Sequence, residues 1–274
     1  MRREGSGRRG CGGEGGNELT CGRRAVVIGA SPVIFGDEMI LPGDFVAVCD
    51  GGLEFAIDRG IRFELLVGDF DSYRGVVPEP TAGRDEFELI RLPSEKDDTD
   101  IEFAVKTLLS RGFRDFLILG GTGGRLDHTL GNLSVAARVA ENGGLCTLAG
   151  DIPGETIYVF KDRGLTLEPS DGAFVSIFPW GSGEAVVTAE GFKYPLLHGR
   201  VNAAATLGVS NEFALDNAAG PSGSVSGGDS GNGAAAGNSA IPSAGSTDFR
   251  SRSPHRAIIT AESGTVVVVV NRQV

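Results

Sequence analysis

The chain has 274 residues, 41% of them apolar, and 36 acids against 25 bases give it a net charge of −11. That length and apolar share suit a folded protein of one large or two modest domains. The acid excess argues against nucleic acid as a partner, since affinity for a phosphate backbone comes from clustered Lys and Arg.

The 43 glycines are about twice the usual ~7% share, so part of the chain is expected to lie outside the fold. Residues 1–24 hold eight Gly and six Arg, and residues 216–254 hold 27 Gly, Ser, Ala or Pro among 39. Neither stretch has the apolar periodicity needed to offset the entropy of ordering, and both are expected to be disordered. With the tail's +3 and the insert's −1 set aside, the rest of the chain carries −13. Arg2 and Arg3 are not followed by an apolar region, and the longest apolar run, Val266–Val270, is far short of the ~20 residues of a membrane span. Cys11, Cys21, Cys49 and Cys146 form no CxxC pair. Reduced thiols, a cytoplasmic location and no membrane partner are therefore expected.

From residue 25 the pattern is strand, loop, helix, repeated. Strands are predicted at Ala25–Gly29, Phe45–Cys49, Glu64–Val67, Phe116–Leu119 and Leu145–Leu148, and helices at Leu53–Arg59, Asp100–Ser110 and Leu130–Glu141. Thr99 followed by Glu102 has the form of a capping box. This alternation predicts an α/β domain over residues 25–155, with a mostly parallel sheet and helices on both faces. Short strands then follow at Thr156–Phe160, Phe174–Phe178, Ala185–Ala189, Ala257–Thr260 and Val266–Val270. They predict a small antiparallel β sandwich or barrel over residues 156–274, interrupted by the 216–254 insert.

The chemistry-bearing residues gather at predicted strand ends, where open α/β sheets bind ligands. Asp69-Phe70-Asp71 puts two carboxylates on one side of an extended turn, a spacing that suits Mg²⁺ but also occurs as ordinary turn chemistry. Asp97, Asp98 and Asp100 crowd one helix start beside Lys96, more acid than complementing a helix dipole requires, which suggests a second metal-binding corner. The glycine loop 120–124 lies between a strand and a helix, so its N–H groups are candidates to cradle phosphate. It has neither the third glycine of a dinucleotide fingerprint nor the Lys of a P-loop. Arg125 supplies a fork-shaped phosphate donor and Asp127 a further metal or hydroxyl partner, while His128 reads as a hydrogen-bonding residue at the helix start.

Five segments carry a resemblance: GDFDS at 68–72, KDDTD at 96–100, GGRLDH at 123–128, GFKYPL at 191–196 and GVSNE at 208–212. In this order and layout the chain resembles the thiamine pyrophosphokinases. The resemblance implies transfer of pyrophosphate from ATP to the hydroxyl of thiamine, giving thiamine diphosphate and AMP. It further implies Mg²⁺ as cofactor and a homodimer with thiamine near the subunit interface. By the same similarity Asp69, Asp71, Asp97 and Asp100 would surround Mg²⁺ and the ATP phosphates, with Asp127 beside them. Arg125 and the loop glycines Gly121, Gly123 and Gly124 would hold phosphate oxygens, and Asp50 and Gly51 would line the nucleotide cleft. Tyr194, Ser210 and Asn211 would lie at the thiamine end, Tyr194 by stacking and Ser210 by hydrogen bonding. Asp71, Asp100 and Arg125 are the catalytic candidates, and either of the two acids suits as acceptor of the hydroxyl proton.

Rival readings are a pyrophosphokinase for a pterin alcohol on the same scaffold, a DxD glycosyltransferase, and a non-catalytic nucleotide sensor. A glycosyltransferase leaves KDDTD and GGRLDH unexplained, and a sensor would be expected to have lost acids from the metal set. Tyr73 stands where a haloacid-dehalogenase-type phosphatase needs Thr or Val.

Overall fold

The computed structural model describes residues 22–31, 36–71, 73–80, 86–95, 97–214 and 256–272. Most of the expected tail (1–21) and the expected insert (with its flanks, 215–255) lie outside the described residues, as do Cys11, Cys21, Ser72 and Lys96. Arg23 and Arg24, counted with the tail in the sequence, are held in place: Arg23 pairs with Glu64 at 2.8 Å and Arg24 with Asp44 at 2.7 Å.

The strands are β1 (Ala25–Ile28), β2 (Phe45–Cys49), β3 (Leu65–Gly68), β4 (Glu88–Arg91), β5 (Asp115–Leu119), β6 (Leu145–Ala149), β7 (Glu155–Lys161), β8 (Gly164–Leu167), β9 (Phe174–Trp180), β10 (Glu184–Glu190), β11 (Leu196–Asn202), β12 (Asn211–Glu212), β13 (Ala257–Ser263) and β14 (Thr265–Asn271). The helices are α1 (Gly52–Asp58), α2 (Asp100–Ser110) and α3 (Leu126–Glu141). Helix α3 starts a turn earlier than its apolar periodicity indicates, because its first turn, with Leu126, Asp127 and His128 exposed, lies at the edge of a cleft and adds no buried apolar position. Strands β4, β11 and β12 have no clear apolar alternation in the sequence and are held by their neighbours; β4, for example, reads Glu-Leu-Ile-Arg, while β8 alternates Leu165 and Leu167 over only four residues.

A ten-stranded sheet runs in the order β12-β9-β14-β7-β6-β5-β1-β2-β3-β4. The six strands from β6 to β4 are parallel, and β7, β14, β9 and β12 add antiparallel to the β6 edge. Alternate residues of the parallel strands face two apolar layers. Val27, Ala47, Val67 and Ile118 pack toward α2 and α3, while Ile28, Val48, Leu66 and Leu119 join Leu53 and Ala56 of α1. Burial on both faces is why these strands read as continuous apolar runs.

The antiparallel part is a sandwich, as expected, but not a detached one. A four-stranded sheet, β11-β10-β13-β8, packs its Val187, Ala189, Ile259 and Ala261 against Val175, Ile177, Val266 and Val268 of the long sheet. The long sheet thus runs across the boundary expected near residue 155, because β6 and β7 pair antiparallel through a short connection. On β1's two sides the chain turns opposite ways: β2 follows on one flank and β5 lies on the other. The carboxyl ends of β1 and β5 therefore flank the switch point at which sheets of this kind open a crevice.

Candidate active site

A cleft of about 510 Å³ opens at that switch point. Its walls are Ala30 and Ser31 after β1, Asp50 after β2, Thr99 to Ile101 at the start of α2, and Gly120 to Arg125 after β5. Asp127, His128, Gly131 and Asn132 of α3 complete it. Close packing of backbone on backbone shapes its floor. A Cβ on Gly29 would lie 2.7 Å from the Gly120 carbonyl oxygen, and one on Gly52 would lie 2.6 Å from that of Ile28.

One carboxylate oxygen from each of Asp50, Asp69 and Asp71 lies within 4.8 Å of the others. Two non-glycine residues in the left-handed region, Asp50 (φ 33°) and Phe70 (φ 59°), set up this approach. Such backbone persists only where packing over-determines it. Phe70 supplies that packing: its ring is buried against the α1 side of the sheet, with the Arg91 guanidinium 5.5 Å from its centroid. The two flanking acids are thereby turned away from the core. Three hard oxygen donors at this spacing suit a small divalent cation such as Mg²⁺.

The second acidic corner is divided among three tasks. Asp98 pairs with Lys106 at 2.7 Å, and Thr99 caps α2 by accepting the Glu102 N–H at 3.2 Å. Asp100 is half-buried and lines the cleft, whereas Asp97 is exposed. Neither Asp97 nor Asp100 belongs to the three-acid group, which instead takes in Asp50, expected as a cleft-lining residue only. Gly51 is the N-cap of α1, directly behind Asp50, and is not among the cleft-lining residues.

Arg125 and Asp127 are exposed at the cleft mouth and bound to each other as a fork, with Nη2 to Oδ2 at 2.5 Å and Nε to Oδ1 at 3.1 Å. The guanidinium holds the Asp127 carboxyl below its ordinary range, so this pair is fully charged at neutral pH. A phosphate binding to Arg125 has to exchange with, or share, that carboxylate.

In the glycine loop, Gly120, Gly123 and Gly124 have positive φ. A Cβ on Gly121 would lie 2.7 Å from Cγ2 of Ile118. Two residues with no motif in the sequence hold this loop. The Asp151 carboxylate accepts the Thr122 N–H at 2.8 Å and the Thr122 hydroxyl at 2.9 Å, and buried Asn132 donates to the Gly121 carbonyl at 2.6 Å. Burial pushes the Asp151 carboxyl up, opposed by hydrogen bonds from Ser31, Thr122 and Gly121. Asp151 had one sequence signal, an acid just past a strand end, one glycine further on than at Asp50 and Asp69. Asn132 had another, a polar residue three and four places along α3 from Thr129 and His128 on an otherwise apolar stretch.

The segments GFKYPL and GVSNE face each other as an antiparallel pair. Phe192 stacks on Phe213 at 5.4 Å, Lys193 pairs with Glu212 at 2.9 Å, and the Asn211 side chain bonds to the Tyr194 backbone. Tyr194 is exposed and Asn211 buried, while Ser210, at φ 57°, is exposed and donates its N–H to Ser176 Oγ at 3.0 Å. This corner is remote from the acids. Matched residues run from Leu66 on β3 to Asn211 on β12 in eight strand-to-strand steps, roughly 38 Å along the sheet at ~4.8 Å per step.

Sequence and fold comparisons agree in kind. A family model described as thiamin pyrophosphokinase, catalytic domain, matches residues 38–147, and one described as thiamin pyrophosphokinase, vitamin B1 binding domain, matches residues 163–219. The chain is 30% identical over 168 residues to the thiamine pyrophosphokinase of Bacillus subtilis (strain 168), covering 60% of this chain and 76% of that protein. It is 26% identical over 166 residues to thiamin pyrophosphokinase 1 of Caenorhabditis elegans, covering 54% and 61%. Among solved structures, the thiamine pyrophosphokinase from Bacillus subtilis superposes with a TM-score of 0.66 at 19% identity, over 92% of this chain and all of that one. The yeast thiamin pyrophosphokinase does so with a TM-score of 0.57 at 13% identity, over 91% and 86%. At those identities the structural likeness speaks to the fold.

Proposed function

The chain belongs to the thiamine pyrophosphokinase family, and from that premise we propose that its switch-point cleft is where pyrophosphate passes from ATP to thiamine. The products are thiamine diphosphate and AMP. The family match to a vitamin B1 binding domain favours thiamine over a pterin alcohol, and catalysis over nucleotide sensing. The observation that carries the site assignment is the three-acid group of Asp50, Asp69 and Asp71, joined to the cleft through Asp50, which belongs to the group and also lines the cleft beside the glycine loop. A cleft lined by Asp50, Asp100 and Asp127 repels a polyphosphate unless a cation neutralises it.

In this reading Asp50, Asp69 and Asp71 hold Mg²⁺, with Asp97 and Asp100 completing the acidic rim. When bound, the ion offsets phosphate charge and polarises the group being transferred. The glycine loop and Arg125 hold phosphate oxygens and fix the line of attack. The thiamine hydroxyl oxygen bonds to the β-phosphorus as the bond from that phosphorus to the α,β-bridging oxygen breaks. AMP departs with the bridging oxygen, and the hydroxyl proton goes to a carboxylate, Asp71 or Asp100.

Thiamine recognition belongs to Tyr194, Ser210 and Asn211, and the working unit is a homodimer. Reacting atoms must come within ~3–3.5 Å, and within one protomer the Tyr194 corner stands eight strand-to-strand steps along the sheet from β3, beside the acids. A two-fold partner can bring its own corner to the cleft. Exposed Phe174, Phe178, Leu207 and Val209 beside Ser210 support a covered surface there. Buried Cys49 and Cys146 are thiols rather than disulfide sulfurs, which supports a reducing, cytoplasmic setting. The deciding assay is AMP formation from ATP, expected only when both thiamine and Mg²⁺ are present; thiamine-independent turnover, or preference for a pterin alcohol, would overturn the reading.

A further inference from the structure

The Gly121 carbonyl and the Thr122 N–H are the two ends of one peptide bond, and a different side chain grips each. Asn132 Nδ2 donates to the carbonyl at 2.6 Å, and Asp151 Oδ2 accepts the N–H at 2.8 Å. Both grips are shielded from water, since Asn132 and Thr122 are buried. The Thr122 hydroxyl adds a third bond to the same Asp151 oxygen, at 2.9 Å, and the Gly121 N–H is also turned toward Asp151. Asp151 further presses on the next residue: a Cβ on Gly123 would lie 3.1 Å from the Asp151 Cβ.

This arrangement divides the loop's donors. The N–H groups of Gly121 and Thr122 are committed inside the protein. Among the described residues, those of Gly123, Gly124 and Arg125 make no hydrogen bond, and all three residues line the cleft. A glycine-rich loop is otherwise free to rotate any of its peptides, and a rotated peptide would present a carbonyl oxygen to an anion.

We propose that Asp151, acting with Asn132, is the positioning residue of the phosphate loop, locking the 121–122 peptide so that the N–H groups of Gly123, Gly124 and Arg125 face the nucleotide phosphates. The proposal rests on the cleft being the ATP site. Asp151 acts through hydrogen bonds it accepts, so an amide oxygen at the same place serves nearly as well, whereas a methyl does not.

The experiment compares Asp151→Ala and Asp151→Asn with the wild-type protein by three measurements: calorimetric binding of ATP without thiamine, separate KM values for the two substrates, and hydrogen exchange of the Gly121 and Thr122 amides in the ligand-free protein. Asp151→Ala is expected to weaken ATP about tenfold, an effect the size of one or two lost hydrogen bonds. It should leave the thiamine KM within about twofold and lose protection at both amides. Asp151→Asn is expected to stay within about threefold of wild type for ATP and to keep the protection. Should Asp151→Ala not fold, Asn132→Ala frees the other end of the same peptide, and its ATP affinity should fall in the same direction. Wild-type ATP affinity in the Ala variants, or Asp151→Asn as impaired as Asp151→Ala, overturns the proposal. A wild-type protein that makes no AMP overturns the assigned function instead, and the amide protection still reports on the grip itself.

Discussion

The side-chain amide of Asn211 holds the backbone of Tyr194 at both its polar ends: Oδ1 accepts the Tyr194 N–H at 3.1 Å, and Nδ2 donates to the Tyr194 carbonyl at 2.7 Å. Oδ1 also accepts the Glu212 N–H at 3.0 Å. Asn211 is buried, so its amide acts as a brace for the exposed Tyr194 ring. Asn211→Ala is expected to lower stability by about 1–3 kcal/mol, because it strands buried polar groups. It should raise the KM for thiamine while leaving that for ATP near wild type. Urea unfolding and two-substrate kinetics check this; an unchanged thiamine KM would detach Tyr194 from thiamine binding.

Asp71→Asn and Asp50→Asn keep side-chain shape and remove one negative charge each from the three-acid group. Each is expected to cut AMP formation by at least about 10²-fold without lowering the melting temperature. Weaker Mg²⁺ binding, titrated calorimetrically with ATP present, should accompany the loss. Asp97→Asn, on an exposed residue outside the group, should cost far less than either. Equal losses at positions 97 and 71 would shift the metal assignment toward the start of α2.

If each working site joins the cleft of one protomer to the Tyr194 corner of its partner, two defective chains can rescue each other. Mixing Asp71→Asn with Tyr194→Ala gives heterodimers in which one site has both lesions and the other has neither. With random subunit exchange, activity at low thiamine is expected to recover to about a quarter of wild type, as the symmetry requires. No recovery despite proven exchange would mean that each protomer carries a whole site.

Asp115 begins β5 beside Arg24, Arg163 and Asp44, and burial raises its carboxyl above the ordinary 3.8, with the two arginines opposing and Asp44 reinforcing the shift. A folded-state value above the unfolded one makes the stabilising contribution full below the unfolded value and lost as pH rises through the folded value. At neutral pH the ionised group is therefore a net cost. Asp115→Asn is expected to stabilise the protein at pH 7 by a few tenths of a kcal/mol, since the site is half exposed to solvent screening. The gain should shrink as the pH falls toward 3.5. Denaturant midpoints across that range test it, and a variant less stable than wild type at pH 7 would show that the arginine contacts dominate.

What the sequence determined by itself was whatever depends on neighbours along the chain. Apolar runs with both faces buried marked β1, β2, β3 and β5, and Thr99 marked the start of α2 where its side chain caps the helix. The family motifs were legible because glycine turns and strand-end acids are local chemistry. Tertiary structure alone decided three things. Asp50 joined Asp69 and Asp71 because β2 and β3 are adjacent and parallel, which puts residues 19 apart at the same sheet edge. Asp98 was taken from the acidic corner by Lys106, two turns along α2, a competition between equally charged neighbours that spacing does not settle. The phosphate loop found its supports in Asn132 and Asp151, which come from a helix and from the end of another strand. Likewise β12 needs β9 to exist at all, since two polar residues bury too little surface to form a strand without a partner. Local propensity is written in consecutive residues, whereas these contacts depend on which strands lie side by side, and that order is set by burying all the apolar faces at once.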